Sequence, residues 1–397
     1  MSATKGRLAF GPTLFGADVG GGAEIVLREM AVRLAARGWQ VDVLTTRAES
    51  HYSWEPVRPA GSAIELGLKV LRFDSRVPLP EHSALENRLI HGDRLSLAEQ
   101  DRWLNTSMRS PELYHYLVEH AEDYRAMVFG PYPTWAAAVA TQIDPARTVL
   151  WACIHDEPYA RLDVLRHEFT DSAGLLLQSD PERDLLAELT NRPAPSRVVG
   201  CGVEIPANYD AAGFRARHGL TGVPFLLYAG RREGGKGWEA LLEDFRVAVL
   251  EFNSPLHLVT MGVGEVRPPA DIADRVHDVG RLPDAERDHA MAAADAYVQP
   301  SALEAFSRTI MESWLAGTPV IGSGLGEVVP WHIRRAEAGL IYRDRAEFLA
   351  ALEFVAAAPE AAAALGAAGR DYVLDNYTWE IVLDKVEAAL VDWTADA

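Results

Sequence analysis

The sequence predicts an α/β protein made of two doubly wound parallel sheets, and three observations carry that reading. Strand-length apolar runs alternate with helical patterns in both halves of the chain. A glycine-rich loop follows the first strand of each half. The length, 397 residues, suits two domains.

The first half opens as a β-loop-α-β unit. An apolar run at 7–10 leads into a loop holding Gly11, Pro12, Gly16, Gly20, Gly21 and Gly22. From Ala23, Leu27, Met30, Ala31 and Leu34 fall at helical spacing on one stripe, and Arg37-Gly38 supplies a stop signal. Residues 41–45 then read as a strand, joined by a right-handed crossover. Residues 48–125 are irregular: Trp54, four prolines (Pro56, Pro59, Pro78, Pro80) and a polar stretch at 81–109 predict insertion-like loops and short helices. Strand candidates return at 126–130, 148–154 and 174–178, and 198–206 reads as a hinge. These signals place an N-terminal domain at 1–205.

The second half, 206–377, repeats the pattern. Strand 225–229, loop 230–237 and helix 238–251, with Leu241, Leu242, Phe245 and Val249 on one side, are followed by strand 256–261, helix 284–294 and strand 296–299. Helix 307–316 stops at Gly317-Thr318-Pro319, before strand 320–322. The Ala-rich stretch 356–368 is expected to be helical. A last helix, about 378–392, has Thr378 as N-cap, Glu380 in its first turn, and Ile381, Val382, Val386 and Leu390 on its apolar side.

Composition excludes several classes of function. Lys and Arg number 38 against 57 Asp and Glu, a net charge of −19, so nucleic acid and anionic lipid are repelled and no nucleic-acid partner is expected. Two cysteines, Cys153 and Cys201, make no disulfide framework. No signal-peptide pattern opens the chain, and no apolar run approaches the ~20 residues of a transmembrane helix. A soluble, cytoplasmic protein is the expectation.

Four clusters have chemical potential. Gly20-Gly21-Gly22-Ala23-Glu24 lies between a strand and a helix, where glycines allow a ligand to approach backbone amides; an ordinary tight turn reads equally well. Ile25 stands where the dinucleotide fingerprint needs its third glycine. Gly230-Arg231-Arg232-Glu233-Gly234-Gly235-Lys236-Gly237 misses the phosphate-loop pattern by one residue: Gly237 replaces the metal-binding Ser/Thr, and strand 256–261 offers no second metal-binding Asp. What remains is two cations, Arg231 and Lys236, suited to a phosphate or diphosphate, or else a solvated loop. In the third cluster Glu304 would lie in a loop and Glu312 on the next helix, roughly 12 Å apart if the whole segment were helical. Amides near Ser307–Thr309 would lie between them, although Glu312 could equally be an exposed helix glutamate. His155, at the end of an apolar strand, is placed for a ligand cleft by position alone. His155-Asp156-Glu157 are adjacent and do not converge on a metal ion.

Taken in order, these clusters resemble the family-four retaining glycosyltransferases of the GT-B fold, in which two Rossmann-like domains face each other across a cleft. The resemblance rests on Gly21-Gly22-Ala23-Glu24 with Ala36-Arg37-Gly38, on Gly230-Arg231 with Lys236-Gly237, and on Pro300-Ser301-Ala302-Leu303-Glu304 running to Glu312 and Ala316-Gly317-Thr318-Pro319-Val320. It implies a nucleoside-diphosphate-sugar donor on the C-terminal domain, a small-molecule or glycan acceptor on the N-terminal one, and no cofactor or metal. By the resemblance, Arg231 and Lys236 stabilise the leaving diphosphate, Glu304 holds the sugar hydroxyls, Glu312 holds the ribose, and His155 lies against the sugar. Gly21 and Gly22 admit the diphosphate, and Phe306, Ser307 and Arg308 complete the donor site. The final helix is implied to return to the N-terminal domain.

The chain also departs from the family. Ala305 and Ser307 flank Phe306 where glycines are usual, Arg308 replaces an apolar residue, and 322–329 is short in glycine. His51, Tyr52 and Trp54 would shape the acceptor pocket, unless they are core aromatics. The rival readings are a phosphorylase or sugar-phosphate synthase on the same fold, and a non-catalytic nucleotide-binding protein.

Overall fold

The computed structural model describes residues 5–232 and 234–394. By its internal contacts the chain divides into residues 1–200 with 380–397, and residues 201–379.

The first unit is built on an eight-stranded sheet. Its strands are β1 (Arg7–Pro12), β2 (Gln40–Thr46), β3 (Gly61–Glu65), β4 (Leu68–Phe73), β5 (Ala126–Gly130), β6 (Thr148–Trp151), β7 (Gly174–Leu177) and β8 (Ser196–Val198). They stand in the order β3-β4-β2-β1-β5-β6-β7-β8, and only β3 runs antiparallel to its neighbour. Phe10 pairs with Val43 on one side and Val128 on the other. Central strands such as β5 and β7 are buried at every position, which is why they read as unbroken apolar runs. Helices α1 (Gly22–Ala36), α2 (Pro80–Ile90), α3 (Leu97–Thr106), α4 (Pro111–His120), α5 (Trp135–Ile143), α6 (Arg166–Thr170) and α7 (Asp180–Leu189) complete the unit. Strand order reverses between β1 and β5, the kind of switch point beside which α/β sheets bind ligands.

The expectation of loops and short helices over 48–125 needs correction, since β3 and β4 extend the sheet there. β3 is an edge strand exposed at four of its five positions, so it shows no apolar alternation to read.

The second unit has strands β9 (Phe225–Ala229), β10 (His257–Met261), β11 (Val276–Gly280), β12 (Ala296–Gln299), β13 (Val320–Ser323) and β14 (Gly339–Tyr342). They form a parallel sheet in the order β11-β10-β9-β12-β13-β14, reversing between β9 and β12. Its helices are α8 (Ala211–Arg217), α9 (Trp238–Leu250), α10 (Asp284–Ala293), α11 (Arg308–Leu315), α12 (Val328–Ala336), α13 (Arg345–Ala357) and α14 (Pro359–Asn376). The Ala-rich stretch at 356–368 is helical but not continuous. Pro359 cannot continue the preceding helix, and α13 and α14 meet at a 104° bend.

The last helix, α15 (Trp379–Trp393), belongs from Glu380 onward to the first unit. Glu387 on it accepts from Lys5 and Trp39, each at 2.6 Å, and from Arg37 at 2.8 Å. Burial alone would raise the Glu387 pKa, but these three donors outweigh it and hold the carboxyl below its ordinary value. Among the described residues, no single helix is long and apolar enough to cross a membrane.

Candidate active site

In the second unit the charged loop leaves β9 at Ala229, on the carboxyl edge of the sheet. The two adjacent arginines have different fates. Arg232 is buried and spends its guanidinium on the protein: Nε donates to Thr260 Oγ1 (3.1 Å), Nη1 to the carbonyls of Gly262 (3.1 Å) and Gly264 (3.0 Å), and the group pairs with Asp278. Arg231, whose carbonyl accepts from Tyr228 Oη at 2.6 Å, carries its side chain exposed. Arg232 thereby ties the loop to β10 and β11 while Arg231 faces outward.

Lys236 ends this loop and donates Nζ to Glu304 Oε1 at 2.8 Å, with the two side chains 28% and 14% exposed. Gly237 follows at φ 72°, and a Cβ there would lie 2.7 Å from the Pro300 carbonyl oxygen. The Ser or Thr of a phosphate loop therefore does not fit in this backbone, which explains the near miss in the motif.

Glu304 sits in the loop after β12. Ser307 adopts φ 65°, the left-handed region that favours glycine, and α11 begins only at Arg308. The segment from Glu304 to Glu312 is thus half loop, and the spacing drawn from a continuous helix does not apply. Ser307 Oγ lies 2.6 Å from Gln299 Nε2, which donates to it. Phe306, expected at the donor site, is 2% exposed, and its ring packs edge-on against His332 (5.0 Å) and Tyr377 (4.9 Å).

Glu312 is not an exposed helix glutamate. At 11% exposure it lies 3.5 Å from Arg308 and 3.6 Å from Arg287. Burial lowers the Arg287 pKa, but Glu312, Asp288 and Asp284 outweigh it and raise the value above normal. Arg308 is thus turned along α11 toward Glu312.

In the first unit, Gly21 has φ 150°, and a Cβ there would meet Glu24 Oε2 at 2.2 Å. Glu24 folds back over this glycine and reaches His51 Nε2 at 3.1 Å. A Cβ on Gly22 meets nothing within 4 Å, so packing does not demand glycine there. His155 lies beyond β6, with Nδ1 3.6 Å from Glu157 Oε1, which accepts from Tyr132 Oη at 2.7 Å. Beneath this loop Glu182 is fully buried and accepts the Ile154 N–H at 2.7 Å and the Gln178 N–H. Desolvation pushes its pKa up to about 7, against those amide bonds and the nearby His155.

The same unit contains a cavity of about 810 Å³ lined in part by His51, Tyr52 and Trp54. Among the described residues, no group of three His, Cys, Asp or Glu side chains is disposed to hold a metal ion.

The structure thus gathers Arg231, Lys236, Glu304, Ser307, Arg308 and Glu312 on the loops after β9 and β12 and the helix that follows. Gly21, Gly22 and His155 stand in the other unit. The anchoring roles of Arg232, Arg287 and Glu182 were not read from the sequence. Only Glu182 left a signal, because Ser179-Asp180-Pro181-Glu182 has the spacing of a capping box.

Two Rossmann-like units, with cations and acids on the carboxyl-edge loops of the second, define an α/β protein of the GT-B architecture. Comparison with known proteins narrows the class. Residues 223–357 match the family described as "Glycosyl transferases group 1". A phosphatidyl-myo-inositol mannosyltransferase of Mycobacterium leprae is 27% identical over 323 residues, covering 78% of this chain and 76% of the relative. A D-inositol 3-phosphate glycosyltransferase of Saccharomonospora viridis is 25% identical over 395 residues, covering 92% and 88%. Among solved structures, sucrose-phosphate synthase from Thermosynechococcus elongatus superposes with a TM-score of 0.74 at 21% identity, covering 98% of this chain and 100% of its own. The chain is a glycosyltransferase of the GT-B fold, similar to family four.

Proposed function

We propose that this protein is a retaining, metal-independent glycosyltransferase whose donor diphosphate is held by Arg231 and Lys236. The observation that carries the reading is the Lys236–Glu304 contact at 2.8 Å on loops leaving the carboxyl ends of β9 and β12. A cation for a phosphate and an acid for sugar hydroxyls already stand side by side there, at the edge where α/β sheets take ligands. Lys236 and Arg231 stabilise the charge that develops on the leaving diphosphate, the role a metal plays elsewhere. Glu304 accepts from the hydroxyls of the donor sugar and Glu312 from the ribose, while His155 flanks the reacting carbon. Gly21 and Gly22 admit the diphosphate, and Ser307 and Arg308 border the donor.

In the chemical step the bond from anomeric carbon to phosphate oxygen breaks and an acceptor hydroxyl bonds the same face. Its proton passes to the departing phosphate oxygen, and nucleoside diphosphate is released. No covalent protein intermediate is required. The two relatives named above have inositol-based names, which favours a polyol acceptor over free phosphate and so transfer over phosphorolysis.

The test is a thermal-shift panel of UDP, GDP, dTDP and ADP, followed by transfer from the matching nucleotide sugar in chelator. A nucleotide at 100 times its Kd adds about 2.7 kcal/mol to the folded state. NMR of the product then reports the anomeric configuration. No shift with any nucleotide, or an inverted product, overturns the proposal.

A further inference from the structure

The cavity in the first unit has a one-sided charge. Glu55, Glu86 and Glu157 line it, and no Lys or Arg does so among the described residues. Glu86 accepts one hydrogen bond, from Tyr159 Oη at 3.2 Å, and Glu157 accepts from Tyr132. The two lining histidines are already engaged, His51 with Glu24 (3.1 Å) and His82 through Nδ1 with the Trp103 carbonyl (2.9 Å).

The apolar part of the wall is flat. His82 stacks on Trp103 with planes 27° apart, and Trp103 stacks on Tyr159 with planes 16° apart. Two lining side chains that are 3% exposed, Thr13 and Trp103, each have a buried polar atom (Oγ1 and Nε1) with no hydrogen-bond partner. Unsatisfied buried groups of this kind point to a ligand or water that completes them. The volume, about 810 Å³, is within the range of small-molecule sites.

We infer that this cavity is an acceptor site for a ring polyol bearing a protonated amine, and that it rejects phosphorylated acceptors. The inference rests on the glycosyltransferase reading above and names its acceptor class. An ammonium finds carboxylates that pair with no Lys or Arg among the described residues, and a ring face finds the stacked aromatics. A phosphate would meet three acids and, among the described residues, no Lys or Arg, in a protein whose net charge is already −19. This sets the chain apart from the relative whose name carries inositol 3-phosphate.

The experiment uses the full chain, the donor selected by thermal shift, and three matched cyclitols: inositol, an inosamine and inositol 3-phosphate. Binding is followed by calorimetry and transfer by nucleotide release. The inosamine is expected to exceed the phosphate by about tenfold or more in kcat/KM, the usual value of one hydrogen-bonded charge. Glu86→Gln, which still accepts from Tyr159, is expected to lower the amine-to-neutral ratio of kcat/KM about tenfold. Glu55→Gln, on an exposed side chain, gives an independent second variant. Equal or better use of the phosphate, an unchanged ratio in both variants, or binding of none of the three overturns the inference. If donor binding and hydrolysis persist in those cases, the glycosyltransferase reading stands and the acceptor class alone is wrong; if no donor binds, both fail.

Discussion

Replacing Lys236 by Ala separates a structural from a catalytic role for the charged loop. The Lys236–Glu304 pair is 28% and 14% exposed, so solvent screens it and its contribution to stability is about 0–1 kcal/mol. The orphaned Glu304 retains access to water, which limits the further penalty. The proposed catalytic role asks much more of the same ammonium. Losing one preorganised donor that faces developing transition-state charge costs about 100- to 1000-fold in kcat, or about 3–4 kcal/mol. Lys236→Ala is therefore expected to unfold within a few degrees of the parent and to turn over at least about 100 times more slowly. Melting by circular dichroism and steady-state nucleotide release supply the two numbers. Glu304→Gln keeps the shape but not the charge, and should weaken transfer without a matching loss of stability. A Lys236→Ala enzyme with kcat within about threefold of the parent would refute the electrostatic role. A raised donor KM at unchanged kcat would instead assign Lys236 to ground-state binding.

Three further outcomes follow from particular atoms. Gly237→Ala puts a Cβ 2.7 Å from the Pro300 carbonyl at φ 72°, so a loss of about 1–3 kcal/mol in chemical denaturation, with weaker donor binding, is expected; full retention of both would contradict the close approach. For Glu182, the folded pKa of about 7 lies above the ordinary 4.5. Its contribution is complete below pH 4.5 and is lost as pH rises through 7, by at most about 3 kcal/mol. Glu182→Gln should therefore gain stability relative to the parent between pH 5 and pH 8, and parallel melting curves across that range would exclude this. Under the proposed metal-independent mechanism, exhaustive chelation should leave kcat within about twofold; restoration of lost activity by a divalent ion would overturn this.

The legible parts of the fold are those whose burial is complete. β5, β7 and β9 are buried at every position, and their apolar runs are bounded in the sequence within a residue of the structure. β11, half-buried with His277 and Asp278 in its middle, and the exposed β3 have no such pattern and went unread. The break between α13 and α14 carried a signal, Pro359, but the surrounding alanines have strong helix propensity and no face to contradict continuity. In the candidate site the residue types and their order along the chain were readable. Conformation was not: Ser307 holds a left-handed φ that its identity does not announce.

The division of labour between Arg231 and Arg232 shows why chemistry outruns pattern here. Two identical neighbours in one loop cannot be ranked by composition, spacing or charge. What separates them is tertiary. Arg232 meets the Thr260 hydroxyl on β10, the carbonyls of Gly262 and Gly264 beyond it, and Asp278 on β11, and these acceptors saturate its donors. A buried guanidinium with such partners is costly to remove and has little left to offer a ligand. Its fixation anchors the loop beside exposed Arg231, and Lys236, further along, donates to Glu304. Preorganised charge is catalytically useful only when it need not rearrange as the reaction proceeds. One arginine made structural leaves the other, with Lys236, for the proposed diphosphate.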